Sequence, residues 1–115
     1  MYEILNSLKE KLNLEYIGVM GEDGFSVYEI KESFENAEEK IAEISEILLS
    51  EVRFSKETMK SNLKSSYIEL ENGLNIYLCY LSGGYFLVGI FNDTIPFGKV
   101  KFFFTKNREK IIEKL

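Results

Sequence analysis

Two neighbouring runs, residues 74–81 (LNIYLCYL) and 85–91 (YFLVGIF), are apolar at almost every position and are separated only by Ser82-Gly83-Gly84. A strand with one wet face alternates, whereas a strand greasy on both faces has to be covered above and below. The two runs therefore predict a pair of central strands joined by a tight turn, with helices packed on both sides of the sheet.

The rest of the chain supplies those helices and further strands. Ile4, Leu5, Leu8 and Leu12 recur at helical spacing over residues 2–12, and Asn13 tolerates the left-handed conformation that closes a helix. Residues 15–21 and 25–31 are β-rich and flank Glu22-Asp23-Gly24, whose Asp-Gly supplies a tight hairpin turn. Asn36, with Glu39 three residues on, has the spacing of a capping box. It opens a long helix to about residue 60 whose inward stripe is Ala37, Ile41, Ile44, Leu48 and Val52. Residues 66–71 alternate, Ile68 and Leu70 on one face and Tyr67, Glu69 and Glu71 on the other, as a strand at the margin of a sheet does.

From Pro96 the spacing of Phe97, Val100, Phe104, Arg108, Ile111 and Leu115 predicts a last helix. Its start, between 96 and 106, stays open. Val100 to Phe104 is rich enough in aromatics for a sixth strand, and Gly98 weakens a helix by ~1 kcal/mol. The order is α-β-β-α-β-β-β-α, an α+β chain expected to form one domain over 1–115.

Composition narrows the chemistry. The chain has no His, which removes the commonest general base, transition-metal ligand and triad member. The single Cys79 falls inside a central strand and reads as a small core residue rather than a thiol nucleophile. The carboxylate pairs Glu38-Glu39, Glu69/Glu71 and Glu22-Asp23 sit in polar contexts that suit a solvated surface better than acid/base work. No glycine pattern forms a phosphate loop. We therefore expect no enzyme, no cofactor and no metal. A net charge of −5 disfavours nucleic acid. No run approaches the ~20 apolar residues of a membrane span, and the N-terminus lacks the pattern of a signal peptide. The expectation is a cytoplasmic protein without direct membrane insertion.

Some apolar residues are not needed by the core stripe. On the long helix Ile47 and Phe54 lie about 100° or more from it, and Leu49 departs on the opposite side. Isolated exposed apolar residues are ordinary. Beside a margin strand at 66–71, however, they suggest a two-fold interface in which long helices pack side by side and margin strands pair. The expected interface is Ile47, Phe54, Tyr67, Glu69 and Glu71.

The order and spacing of these elements resemble the roadblock/light-chain family, relatives of the longin fold. The residues carrying the resemblance are Leu5 to Leu12 leading into Tyr16-Ile-Gly-Val-Met20, the Glu22-Asp-Gly24 turn, the central helix, Tyr77 to Leu81, the Gly83-Gly84 turn, Phe86 to Phe91, and Gly98-Lys-Val100. The sequence departs from it at residues 31–36, which hold little of the small-residue loop expected there, and in the bulk of Phe102-Phe103-Phe104. The resemblance implies a five-stranded antiparallel sheet with the long helix on one face and the terminal helices on the other. It also implies dimers with a continuous sheet, and a prokaryotic regulator or scaffold that binds a Ras-like small GTPase through the paired long helices. That places the partner surface at Glu39, Glu43, Ser50 and Arg53. Such a partner biases a GTPase only by binding one nucleotide state more tightly; Arg53 and Arg108 are the only arginines available as a finger. The alternative is a small-molecule sensor of PAS or profilin-like type, with Tyr16, Tyr28, Tyr77 and Phe86 lining a pocket.

Overall fold

The structure, a computed structural model, describes residues 1–32 and 34–115. Helix α1 (Tyr2–Leu12) leads into strands β1 (Tyr16–Gly21) and β2 (Ser26–Ile30), then α2 (Ala37–Arg53), β3 (Ser65–Glu69), β4 (Leu74–Tyr80), β5 (Tyr85–Asn92) and α3 (Phe97–Glu113). The five strands form one antiparallel sheet in the order β2-β1-β5-β4-β3. The two runs greasy on both faces are thus interior strands, and the alternating run is an edge.

Local chemistry sets the joints. Asn13 takes the left-handed conformation at φ 50° and its N–H bonds back to Glu10 O, which ends α1 where the spacing predicts. Gly24 at φ +90° closes the first hairpin. The capping box at Asn36 does not form: Asn36 itself is left-handed at φ 54° and makes no side-chain cap bond. An N-cap side chain reaches the first free N–H groups from an extended backbone, which that conformation forbids. The β3–β4 turn also begins earlier than expected. β3 stops at Glu69, so Glu71 lies in the turn rather than in the strand. After Arg53 the helix widens into a π-helical turn, Phe54–Thr58, with Met59 N–H donating to Phe54 O at 3.2 Å.

The faces of the sheet carry different layers. On one, Leu5, Leu8 and Leu12 of α1 and Val100, Phe104 and Ile111 of α3 close over Ile17, Val19, Tyr77 and Leu87. On the other, α2 packs alone through Ile44, Leu48 and Val52 onto Tyr16, Met20, Leu78, Phe86, Val88 and Ile90.

Residues 97–113 are helical, and the triple phenylalanine has a physical explanation. A Cβ at Gly89 would stand 2.7 Å from the Phe104 ring. Glycine in the middle of β5 is the space into which Phe104 fits, which offsets the weak helix propensity of an aromatic run. Phe103 is half-buried and Phe102 faces outward at 59% exposure. Arg108 donates from Nε to Tyr80 O at 3.0 Å and from its terminal nitrogen to Leu81 O at 2.5 Å, fastening α3 to the end of β4. It is committed to the fold.

Candidate interaction surface

Five strands about 4.8 Å apart span roughly 20 Å between their outer members, and an α-helix with its side chains is about 10 Å wide. Two helices cover that width. One does not, and α2 sits over β1, β5 and β4, so that the β3 side of this face, where Ile68 is only partly buried, is incompletely covered. A groove of about 340 Å³ runs there between α2 and the margin, with Ile44 and Ile47 on one wall and Ile68, Leu70 and Leu74 on the other.

The margin is open in its backbone as well. Leu70 N–H donates to Leu74 O at 2.8 Å and Tyr80 N–H to Lys64 O at 2.9 Å. Bonded and non-bonded pairs alternate along an antiparallel ladder. With Ser66 opposite Leu78 and Ile68 opposite Ile76, the even-numbered residues are those bonded to β4. The N–H and C=O groups of Ser65, Tyr67 and Glu69 accordingly point away from the sheet, a row ready to pair with another strand.

The expected interface residues divide over this geometry. Ile47 lines the groove, and Phe54, two turns further along the same flank, is 56% exposed. Tyr67 and Glu69 contribute outward backbone groups at the edge, but their side chains lie on the opposite face of the sheet. The Tyr67 ring stacks on Phe97 at 3.8 Å, and its hydroxyl donates to buried Asn75 at 3.3 Å. Asn75 in turn donates to Asp93 at 2.9 Å. Tyr67 therefore completes an aromatic layer within the chain itself. The side chains that join Ile47 are instead Ile68 and Leu70, the latter 43% exposed. Their alternation against Tyr67 and Glu69 was the available signal; what it lacked was which face α2 would take.

Glu51, one turn beyond Ile47, has its Oε2 shielded from solvent with no hydrogen-bond partner among the described residues. Such an oxygen costs about 1–3 kcal/mol unless a donor arrives. Glu39, Glu43, Ser50 and Arg53 are all exposed along the outer side of α2 and form one continuous strip. Leu49, on the far flank, is covered by the first hairpin, its Cδ1 lying 3.1 Å from where a Cβ on Gly24 would be.

Groups with chemical potential are quiet. Cys79 is buried, and that burial pushes its thiol pKa up, away from the thiolate. The aromatics suggested for a sensor pocket do not share a cavity. Tyr16 and Phe86 lie under α2, whereas Tyr28 and Tyr77 lie under α1 and α3, with the sheet between them. No three metal-ligating side chains gather among the described residues, and none of their helices is long and apolar enough to cross a membrane.

Solved structures share this architecture. The gliding protein MglB from Thermus thermophilus aligns with a TM-score of 0.81 at 15% identity, over 97% of this chain and 85% of that one. A roadblock/LC7 domain from Streptomyces avermitilis aligns with a TM-score of 0.76 at 10% identity, over 96% and 93%. The chain has the roadblock/longin-like fold. MglC from Myxococcus xanthus shares the roadblock architecture at 24% identity and a TM-score of 0.70, over 99% of this chain and 98% of that one. A profilin, LokiProfilin2 in complex with rabbit actin, aligns less well, at a TM-score of 0.64. No protein-family model and no curated sequence matches the chain. Within the roadblock fold, the groove, the β3 edge and the outer strip of α2 lie side by side on one margin.

Proposed function

We propose that the chain is a non-catalytic adaptor, two copies of which pair edge to edge through β3 and flank to flank through α2, and that the paired helices present their outer strip to a Ras-like small GTPase. The observation that carries the reading is the coincidence of an open β3 backbone with the apolar groove beside Ile47. Pairing two β3 edges about a two-fold axis continues the sheet and lays the partner's α2 over the incompletely covered side of the face, filling the width that one helix leaves. The Glu51 oxygen that has no partner among the described residues lies on the same flank. The GTPase as partner rests on the roadblock resemblance, and the regulatory effect would come from unequal affinity for its two nucleotide states.

The test is binding of this protein to the Ras-like GTPase encoded nearest to its gene, loaded with GDP or with a non-hydrolysable GTP analogue. We expect one state to bind roughly tenfold more tightly or better, a coupling of about 1.4 kcal/mol. Glu39→Lys with Arg53→Glu, neither of which lines the groove, should weaken that binding without altering self-association. Equal affinity for both states would remove the regulatory role, and a complex indifferent to the Glu39/Arg53 pair would move the contact off α2.

A further inference from the structure

The chain is acidic as a whole, yet its charge is not evenly spread. Residues 94–108 hold Lys99, Lys101, Lys106 and Arg108 and not one Asp or Glu, in a sequence with 19 acidic residues. These are the first turns of α3, where the helix dipole adds further positive potential.

Val100, Phe104 and Ile111 mark the inward side of α3. Successive helical residues turn by about 100°, so Phe102 points directly away from that side, with Lys99 and Lys106 one turn before and after it. The Phe102 and Phe103 rings meet edge to face at 5.1 Å. Lys106 Nζ stands 5.9 Å and 6.0 Å from their centroids, and Lys11 Nζ of α1 stands 4.6 Å from that of Phe103. The result is a crest of exposed Phe102 and half-buried Phe103 flanked by lysines. Glu3 and Glu10 on the outer side of α1, and Glu109 and Glu113 in the last turns of α3, bound it; Glu109 is paired with Arg108 at 3.1 Å.

We propose that this crest of Phe102 and Phe103, with Lys11, Lys99 and Lys106, is a peripheral docking surface for an anionic lipid membrane. Lysine stems run along apolar surface while their ammonium groups reach anionic headgroups, and an aromatic ring between them enters the interfacial layer. A crest with an aromatic at its apex suits a deformable, extended surface better than it suits a strand of nucleic acid, which binds in a groove. The two-fold pairing proposed above strengthens the case and this step rests on it. An axis perpendicular to the continued sheet puts both α3 crests on one side and both α2 strips on the other. Two weak contacts would then engage one plane together, with the α2 pair facing away from it.

The test is co-sedimentation with vesicles of phosphatidylcholine alone or with about one-third phosphatidylglycerol, at low salt and at about 0.5 M NaCl, where charges are screened within a few ångströms. Protein should pellet with the anionic vesicles only, and at low salt only. Lys99→Glu with Lys106→Glu should lower the partition on the order of a hundredfold, while Lys31→Glu with Lys60→Glu, the same change in net charge elsewhere, should leave it within about a factor of two. Phe102→Ser, at an exposed site that leaves the melting temperature in place, should lower it on the order of tenfold, and Glu3→Lys with Glu10→Lys should raise it by a similar factor.

Failure of the unaltered protein to pellet with anionic vesicles overturns the proposal, as does equal loss in the two lysine pairs or full binding by Phe102→Ser. Capture of an oligonucleotide or of polyglutamate with no vesicle uptake would also overturn it and hand the crest to another polymer. Sedimentation of the same samples without lipid keeps the readings apart. A dimer that ignores vesicles sinks only the membrane surface, and a monomer that binds them sinks only the pairing.

Discussion

The two margins of the sheet differ in how they meet water. Both β2 and β3 lie outside the width that α2 covers. Beneath the uncovered flank, β2 presents Ser26 and Glu29, the latter accepting a hydrogen bond from the Tyr16 hydroxyl at 3.2 Å and pairing with Lys31 at 3.2 Å. The β3 margin presents Ile68 and Leu70 in the equivalent place. A register shift between Val19 and Met20 also kinks the β1–β2 ladder, and such bulges are a common device for blunting an edge. The β3 ladder runs without a shift. On this face one margin is polar and the other apolar, the difference on which the proposed pairing through β3 rests, although Phe25 and Val27 stay exposed on the β2 side and both look like short edge strands in isolation.

The comparison breaks most readily by charging each margin in turn. Ile47→Asp with Phe54→Asp should convert dimers to monomers, because burying two carboxylates in an apolar interface costs several kcal/mol, on the order of a thousandfold or more in Kd. Phe25→Asp with Val27→Asp, on the β2 margin, should leave sedimentation unchanged. Unchanged dimers from the first pair would move the interface elsewhere, and monomers from the second would place it at the β2 margin.

A smaller effect isolates the backbone. The Glu69 N–H points outward, so Glu69→Pro removes a donor that β4 does not use and blocks only pairing with another strand. Self-association should weaken by about 1–2 kcal/mol, roughly five- to thirtyfold, with the melting temperature of the isolated protomer little altered. Loss of folding instead would place that N–H within the β4 ladder.

The smallest effect concerns the closed parts of the fold and is read with pH. Burial raises the Tyr16 pKa above its ordinary 10, and burial likewise pushes Tyr77 up to about 12. The unfolded chain then loses these protons first, so stability is full below pH 10 and falls as pH rises from there through about 12. Tyr16→Phe should make the alkaline fall shallower in thermal melts. A melting temperature that is flat between pH 9 and 11, on the order of the window these shifts define, would contradict the burial of both hydroxyls.

Much of this was legible in the sequence because the signals were local. Helical spacing located α1 and the α2 stripe, Asn13 and Gly24 marked their turns, and two runs greasy on both faces identified two of the three interior strands. The signals misled where geometry came from outside the segment. Asn36 and Glu39 have the spacing of a capping box, but the chain enters α2 from a direction that makes Asn36 left-handed. Tyr67 alternates with Ile68 as any margin residue does, and nothing in that alternation says that Phe97, thirty positions on, will lie flat against it.

By itself the amino-acid order determined the elements, their sequence and the need for helices on both faces, since periodicity and turn chemistry act over a few residues. Tertiary structure alone decided how far one helix reaches across five strands, and hence which apolar side chains stay uncovered. It also decided that Gly89 would open a seat for Phe104 and turn Phe102 outward. Coverage depends on the widths of packed layers, a property of the assembled sheet that no window of sequence contains.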